Sequence, residues 1–190
     1  ILILKNKKMD NRQVQLERAN HVLTAMGVDT RNAKVMDRTQ YITFDAKGKS
    51  SVVLLIDSNT KKLVGETSFD ANKLNKGRYF VVDSARVLVE DQAGSLKEAH
   101  WKSEAHPAVL NSEFKIAQDE DLLLLPLSDL VYTKITQGDE NGFRSIASAP
   151  VIVPEKEINL SWQFPQGANV PDSQTQFVRI ELRGFEFLTN

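Results

Sequence analysis

A strict alternation of apolar and polar residues over positions 158–164 constrains this chain more than any other feature. Ile158, Leu160, Trp162 and Phe164 alternate with Asn159, Ser161 and Gln163, and Pro165 ends the run. Successive side chains of an extended backbone point to opposite faces, so the pattern is that of a strand with one buried face. Residues 176–188 extend the theme: Val178, Ile180 and Leu182 share one parity, while Phe177, Arg179, Glu181 and Arg183 share the other. Gly184 interrupts this second run, and beyond it Phe185 and Phe187 carry the apolar character at the opposite parity. A bulge at Gly184 would insert one residue and bring both sets to one face. The rival account is a strand covered on both faces, with the two phenylalanines against a neighbouring chain.

Shorter period-two runs precede this pair. Residues 41–45, 51–57 and 62–67 are separated by the polar turn segments AKGKS and SNT. Residues 78–90 (RYFVVDSARVLVE) are apolar on both parities, which suits a central strand with a bend near Asp83 and Ser84. Residues 113–118, 122–125, 131–136 and 151–153 are further candidates. Nine or ten strands, few helices and long loops at 91–112 and 137–149 predict a mainly β fold, an antiparallel sandwich or jelly roll. No segment repeats with a period of 20–50 residues, which excludes propellers and solenoids.

One helix stands ahead of the strands. Asp10 or Asn11 can cap its start, Val14, Leu16, Ala19, Val22, Leu23 and Met26 recur at roughly helical spacing, and Gly27 can close it in the left-handed conformation. The apolar stripe needs a cover, either the chain's own domain or another subunit. Residues 28–40 have no clear period and read as a connector. The expected organisation is therefore an arm, amphipathic helix and connector over 1–40, followed by a β-sandwich domain over 41–190.

At 190 residues the chain is long enough for one self-sufficient core. It has no Cys, which excludes disulfide scaffolds, Cys-ligated zinc, iron–sulfur clusters and thiol catalysis, and leaves the redox compartment open. The longest apolar runs, ILIL at 1–4 and LLLLPL at 122–127, are far too short for a membrane span. A net charge of −1 hides an asymmetry: residues 1–90 carry 16 Lys and Arg against 10 Asp and Glu, and residues 91–190 carry 8 against 15. Oppositely charged halves can attract copies of the same chain. Lys5, Lys7, Lys8, Arg12 and Arg18 make the first eighteen residues basic, as suits a tether to a neighbouring subunit or to nucleic acid, and equally a solvated tail.

Chemistry is harder to find. The triplet EAH occurs at 98–100 and 104–106, so Glu98 with His100 and Glu104 with His106 would share faces in extended backbone. Two such pairs could hold zinc or manganese, but Trp101, Lys102 and Pro107 make the segment read as an exposed loop. The acidic segments DED (119–121) and GDENG (138–142) lack the oxygen-ligand spacing of a calcium loop and read as turns. No nucleophile elbow, phosphate-binding loop, dinucleotide fingerprint or zinc-protease motif is present. Trp162 belongs to a core alternation, leaving Trp101 as the one candidate platform for stacking a sugar. No catalytic, cofactor-binding or metal-ligating residue is assigned, no cofactor is expected, and an enzyme is the disfavoured class.

The basic arm and helix at 1–27, LPLSDL at 125–130, INLSWQFP at 158–165 and QFVRIELRGFEFL at 176–188 together resemble the jelly-roll structural proteins of virions, especially those of bacteriophages. The resemblance implies a non-enzymatic, capsid-type protein that self-associates into a symmetric shell through broad interfaces, located in the virion. It also implies an N-terminal arm that ties subunits together, with other virion proteins and nucleic acid as possible contacts. The alternative is a secreted or cell-surface β-sandwich that binds carbohydrate or a protein partner.

Overall fold

The computed structural model describes residues 11–131 and 142–189. Two antiparallel sheets stack face to face as a β-sandwich. The first holds β1 (Lys34–Asp45), β9 (Phe177–Leu188), β3 (Arg78–Glu90) and β6 (Arg144–Ser145) in that order, with β7 (Val151–Ile152) also pairing with β3. The second holds β2 (Val52–Leu54), β8 (Asn159–Gln163), β4 (Glu113–Gln118) and β5 (Glu120–Pro126). The last strand, β9, lies between the first and the third, paired along its whole length with both. No described helix is long and apolar enough to cross a membrane.

The main core lies between the sheets, where alternation delivers one face of each strand. Phe80, Val82, Val87 and Ile180 of the first sheet meet Phe114, Ile116, Leu160 and Trp162 of the second, all fully buried. Trp162 takes an edge-on contact with Phe44 at 5.0 Å between ring centroids, an arrangement aromatic rings favour.

A second, smaller core lies on the outer face of the first sheet. Helix α1 (Asn11–Ala25) lays Ala19 and Leu23 onto Val81, Val151, Phe185 and Phe187. Gly27 closes the helix at φ +81°, and the Val28 amide donates to the Leu23 carbonyl across the end. The stripe is thus covered by its own domain. It is also narrower than its sequence pattern, since Val14 and Met26 remain about half exposed.

The expected bulge at Gly184 is not there. Gly184 keeps its place in an unbroken register with β1, opposite Arg38, and does not adopt a left-handed backbone. The extra residue sits on the neighbouring strand: β3 shifts register between Val82 and Ser84, leaving Asp83 without a counterpart on β9. Parity shows why. Val82 and Ala85 lie three positions apart yet both enter the main core, which a regular strand cannot arrange. Phe185 and Phe187 therefore face away from Val178, Ile180 and Leu182, and α1 covers them instead of a neighbouring chain.

Three other expectations change. Residues 62–67 form no strand: Gly65, at φ +91°, folds the segment back so that Leu63 pairs with Thr67, and Val64 is left exposed. The connector expected at 28–40 becomes strand from Lys34 onward, running on through residues 40 and 41. Its polar residues hid it, because they are paired where they are buried. Arg38 is ion-paired with the buried Glu186, which also meets Arg78, and Gln40 accepts from Ser68 at 2.6 Å. The strand expected at 51–57 shortens to three residues, with Ser51 ahead of it in a left-handed conformation. Of the candidate at 131–136, Val131 makes one bridge with Val87, and 132–136 lie outside the described residues.

Candidate functional site

The two sheets differ on their outer faces. The first is covered at one end by α1, held there by Arg12, which pairs with Asp37 and with the bulge residue Asp83 and lies 4.0 Å over the Phe185 ring. Farther along, Arg179, Arg86 and Arg183 form a ladder. Arg86 and Arg179 both bind Glu181, at 2.7 and 2.9 Å, and Arg86 and Arg183 each lie 4.4 Å over Phe143. Arg179 lies 4.1 Å over Tyr41. The guanidinium planes cover the aromatic rings while their charges are answered by carboxylates.

No described residue covers the outer face of the second sheet to the same degree. Registers across β2, β8, β4 and β5 place Leu54, Ser161, Lys115 and Leu124 in one row, and Val52, Gln163, Glu113 and Pro126 in the next. Leu54 is 64% exposed, Val52 58% and Leu124 53%. Polar residues occupy the centre of this face and apolar ones its two edge strands. Val52 and Leu54 make a small apolar pair on one edge strand, and Leu124 stands opposite them on the other.

At one end of the sandwich, the loop after β3 is organised by a residue that the sequence did not single out. Glu90 is buried, and its carboxylate accepts from the backbone amides of Gln92 at 2.8 Å, His100 at 2.8 Å and Trp101 at 3.1 Å, and from the Ser103 hydroxyl at 3.2 Å. Burial alone would push this carboxyl up; the four donors outweigh it and hold the group below its ordinary value of 4.5. A lowered carboxyl contributes stability above its unfolded pKa and loses it as pH falls through the folded one. Glu90→Gln is accordingly expected to cost about 1–3 kcal/mol at neutral pH. It should also flatten the loss of stability below about pH 4.5. Thermal unfolding followed against pH checks both effects.

The residues weighed from the sequence fall as follows. His100 lends its backbone amide to Glu90, and His106 caps the short helix α2 (Pro107–Leu110), its Nδ1 accepting from the Ala108 amide at 3.1 Å. Neither EAH triplet gathers ligands, and among the described residues no group of three or more His, Asp or Glu could hold a metal ion. Asp119–Asp121 forms the turn between β4 and β5, with Asp119 at φ +56° and paired with Lys156 at 2.7 Å. Most of the acidic segment at 138–142 lies outside the described residues. Trp162 is core, as its alternation implied. Trp101 is partly buried, with the Arg179 guanidinium 5.7 Å from its ring centre. Sequence reasoning missed Glu90, Gln118, Gln176 and Glu186, all buried. For three of them a signal was available. Gln118 and Glu186 stand at the inward parity of β4 and β9, and Gln176 continues that parity one residue ahead of β9, where an apolar residue is expected and a polar one must be satisfied.

No family model matches the chain, and no curated protein matches it. Among solved structures, the chain is similar to the 60-mer BFDV capsid protein, from a circovirus, at 12% identity over 85% of this chain and 96% of that one, with a TM-score of 0.28.

Proposed function

We propose that this chain is a non-enzymatic structural protein that assembles with copies of itself into a virion shell. The observation that carries the reading is the bare outer face of the β2–β8–β4–β5 sheet. It sets Val52, Leu54 and Leu124 in water on a sandwich whose other sheet is partly covered by its own helix. A second copy is the occupant that suits a flat face with apolar margins and both Lys115 and Glu113 between them, because such a patch can complement itself about a two-fold axis. Strand order supports the jelly-roll form of the sandwich. The chain passes between the sheets from β1 to β2, β2 to β3 and β3 to β4, pairs β4 with β5, and crosses again before β6, between β7 and β8, and between β8 and β9. Such double wrapping is common in shell proteins. The bacteriophage affiliation, an N-terminal arm contacting nucleic acid and the virion location rest on the sequence resemblance.

Sedimentation and negative-stain microscopy test the proposal. The unmodified protein is expected as a closed particle or defined oligomer. The double substitution Leu54→Lys and Leu124→Lys should yield monomers that keep the native circular dichroism spectrum, since both side chains are more than half exposed in the single subunit. A monomeric unmodified protein, or assembly indifferent to the double substitution, would refute the interface.

A further inference from the structure

We propose that the free edge of β2 pairs with the same strand of a second copy, antiparallel about a two-fold axis at Val53. The inference rests on the self-assembly reading and names a contact the outer face alone does not supply, backbone pairing along the sheet edge. Natural sheets blunt an exposed edge with charge, proline or a covering segment. Two other edges of the sandwich are guarded in these ways. β1 is covered where the Thr43 amide donates to the Glu66 carbonyl and the Ser68 amide to that of Tyr41. β5 carries Glu120, Asp121 and Pro126. Residues 51–56, around β2, read SVVLLI, with neither charge nor proline. Such a run is a strand-pairing hazard unless something covers it.

The open groups of β2 are those at even positions. The Phe164 amide donates to the Ser51 carbonyl and the Leu55 amide to that of Leu160, so the odd positions face β8. Val52 and Leu54 therefore turn their amides and carbonyls away from the sheet, and no described residue bonds to them. Their side chains are exposed on the outer face, while Val53 packs inward against the main core.

Register selects the occupant. With the axis at Val53, Val52 lies opposite Leu54 of the second copy and Leu54 opposite its Val52. Each pairing exchanges both N–H···O bonds, and the exposed apolar side chains cover one another. Moving the axis to Val52 would set Leu54 against Ser50, and moving it to Leu54 would set Val52 against the buried Ile56. Charge agrees with the antiparallel sense. Lys49 and Asp57 flank the run, both exposed and neither in an ion pair among the described residues. Reversal brings Lys49 of one copy to the end of the ribbon that carries Asp57 of the other; a parallel arrangement would gather like charges. Three residues a side fall well short of the ~1,000 Å² of a stand-alone interface, so this is one contact within an assembly.

The chain has no Cys, so a single introduced thiol reports on a single contact. Residues facing each other at the non-hydrogen-bonded position of an antiparallel pair lie about 4.5 Å apart between Cα atoms, within reach of a disulfide. Val53→Cys, oxidised after assembly, is expected to run as a covalent dimer on a non-reducing gel. Adding Lys49→Glu should slow that cross-linking at least about threefold at low ionic strength, and the difference should vanish near about 0.5 M salt. Particles that form without the Val53→Cys dimer would overturn the edge pairing and leave the self-assembly reading standing. Cross-linking indifferent to Lys49→Glu at low salt would overturn the register in the same way. A monomeric unmodified protein would remove both readings together.

Discussion

Gly184→Ala is expected to destabilise the protein by about 3 kcal/mol, the upper end of what a forced extra methyl costs in a packed core. Gly184→Val is expected to leave little folded protein. A Cβ at this position would overlap the Val81 carbonyl oxygen and come within 3.1 Å of the Val82 Cα. Both are backbone atoms of β3, so no side-chain rotation can relieve the contact. The strands would have to part beside the register shift at Asp83. The reason for glycine here is therefore close approach of two backbones, not a left-handed turn, and the two reasons give different substitution patterns. A left-handed site would tolerate Asn or Asp; this one should reject every side chain alike. Urea unfolding of the Ala, Asn and Val variants distinguishes the two, and an unchanged midpoint for Ala would show that β3 can retreat freely.

The second large effect is expected at Leu23. Its side chain is fully buried between α1 and the outer face of the first sheet, beside Phe185 and Phe187. Leu23→Ala is expected to cost about 2–4 kcal/mol, whereas Val14→Ala, on the exposed side of the same helix, should change stability by less than about 0.5 kcal/mol. The pair separates two roles that the sequence left open. If the stripe served another subunit, Leu23→Ala would impair assembly and spare the monomer. Packed as it is, the substitution should lower the monomer's unfolding midpoint and increase access of a hydrophobic dye to the uncovered phenylalanines.

Much of this architecture is legible in the residues, and the failures share one cause. The runs at 78–90, 113–118, 158–164 and 176–188 announce themselves because one parity, or both, meets an apolar core. The first half of β1 does not, because Arg38 and Gln40 occupy inward positions and are satisfied by Glu186 and Ser68, residues far away in sequence. The bulge falls on β3 and not at Gly184 for a related reason. A single sequence shows that two parities conflict, but only pairing reveals which partner carries the extra residue. Of the surfaces argued functionally, Val52, Leu54 and Leu124 lie on strands the sequence indicated, yet their outward direction depends on a register it does not contain. Gln176, likewise, is held by the backbone amide of His106, seventy residues away.

The position of β9 between β1 and β3 imposes an order on biosynthesis. The first sheet can close only when residues 177–188 are available to join two strands that lie more than eighty residues upstream. Until then β1 and β3 have no mutual partner, and the apolar faces of Phe80, Val82 and Val87 wait uncovered. Folding dominated by such distant pairings is slow, and its intermediates expose strand edges. A nascent chain of this kind is a natural client for chaperones. Loss of β9, even by a short truncation within 177–188, should divert the product into aggregates instead of a smaller folded domain. Synthesis through residue 188 is thereby the condition for closing the first sheet, however early the β2–β8–β4–β5 strands have emerged.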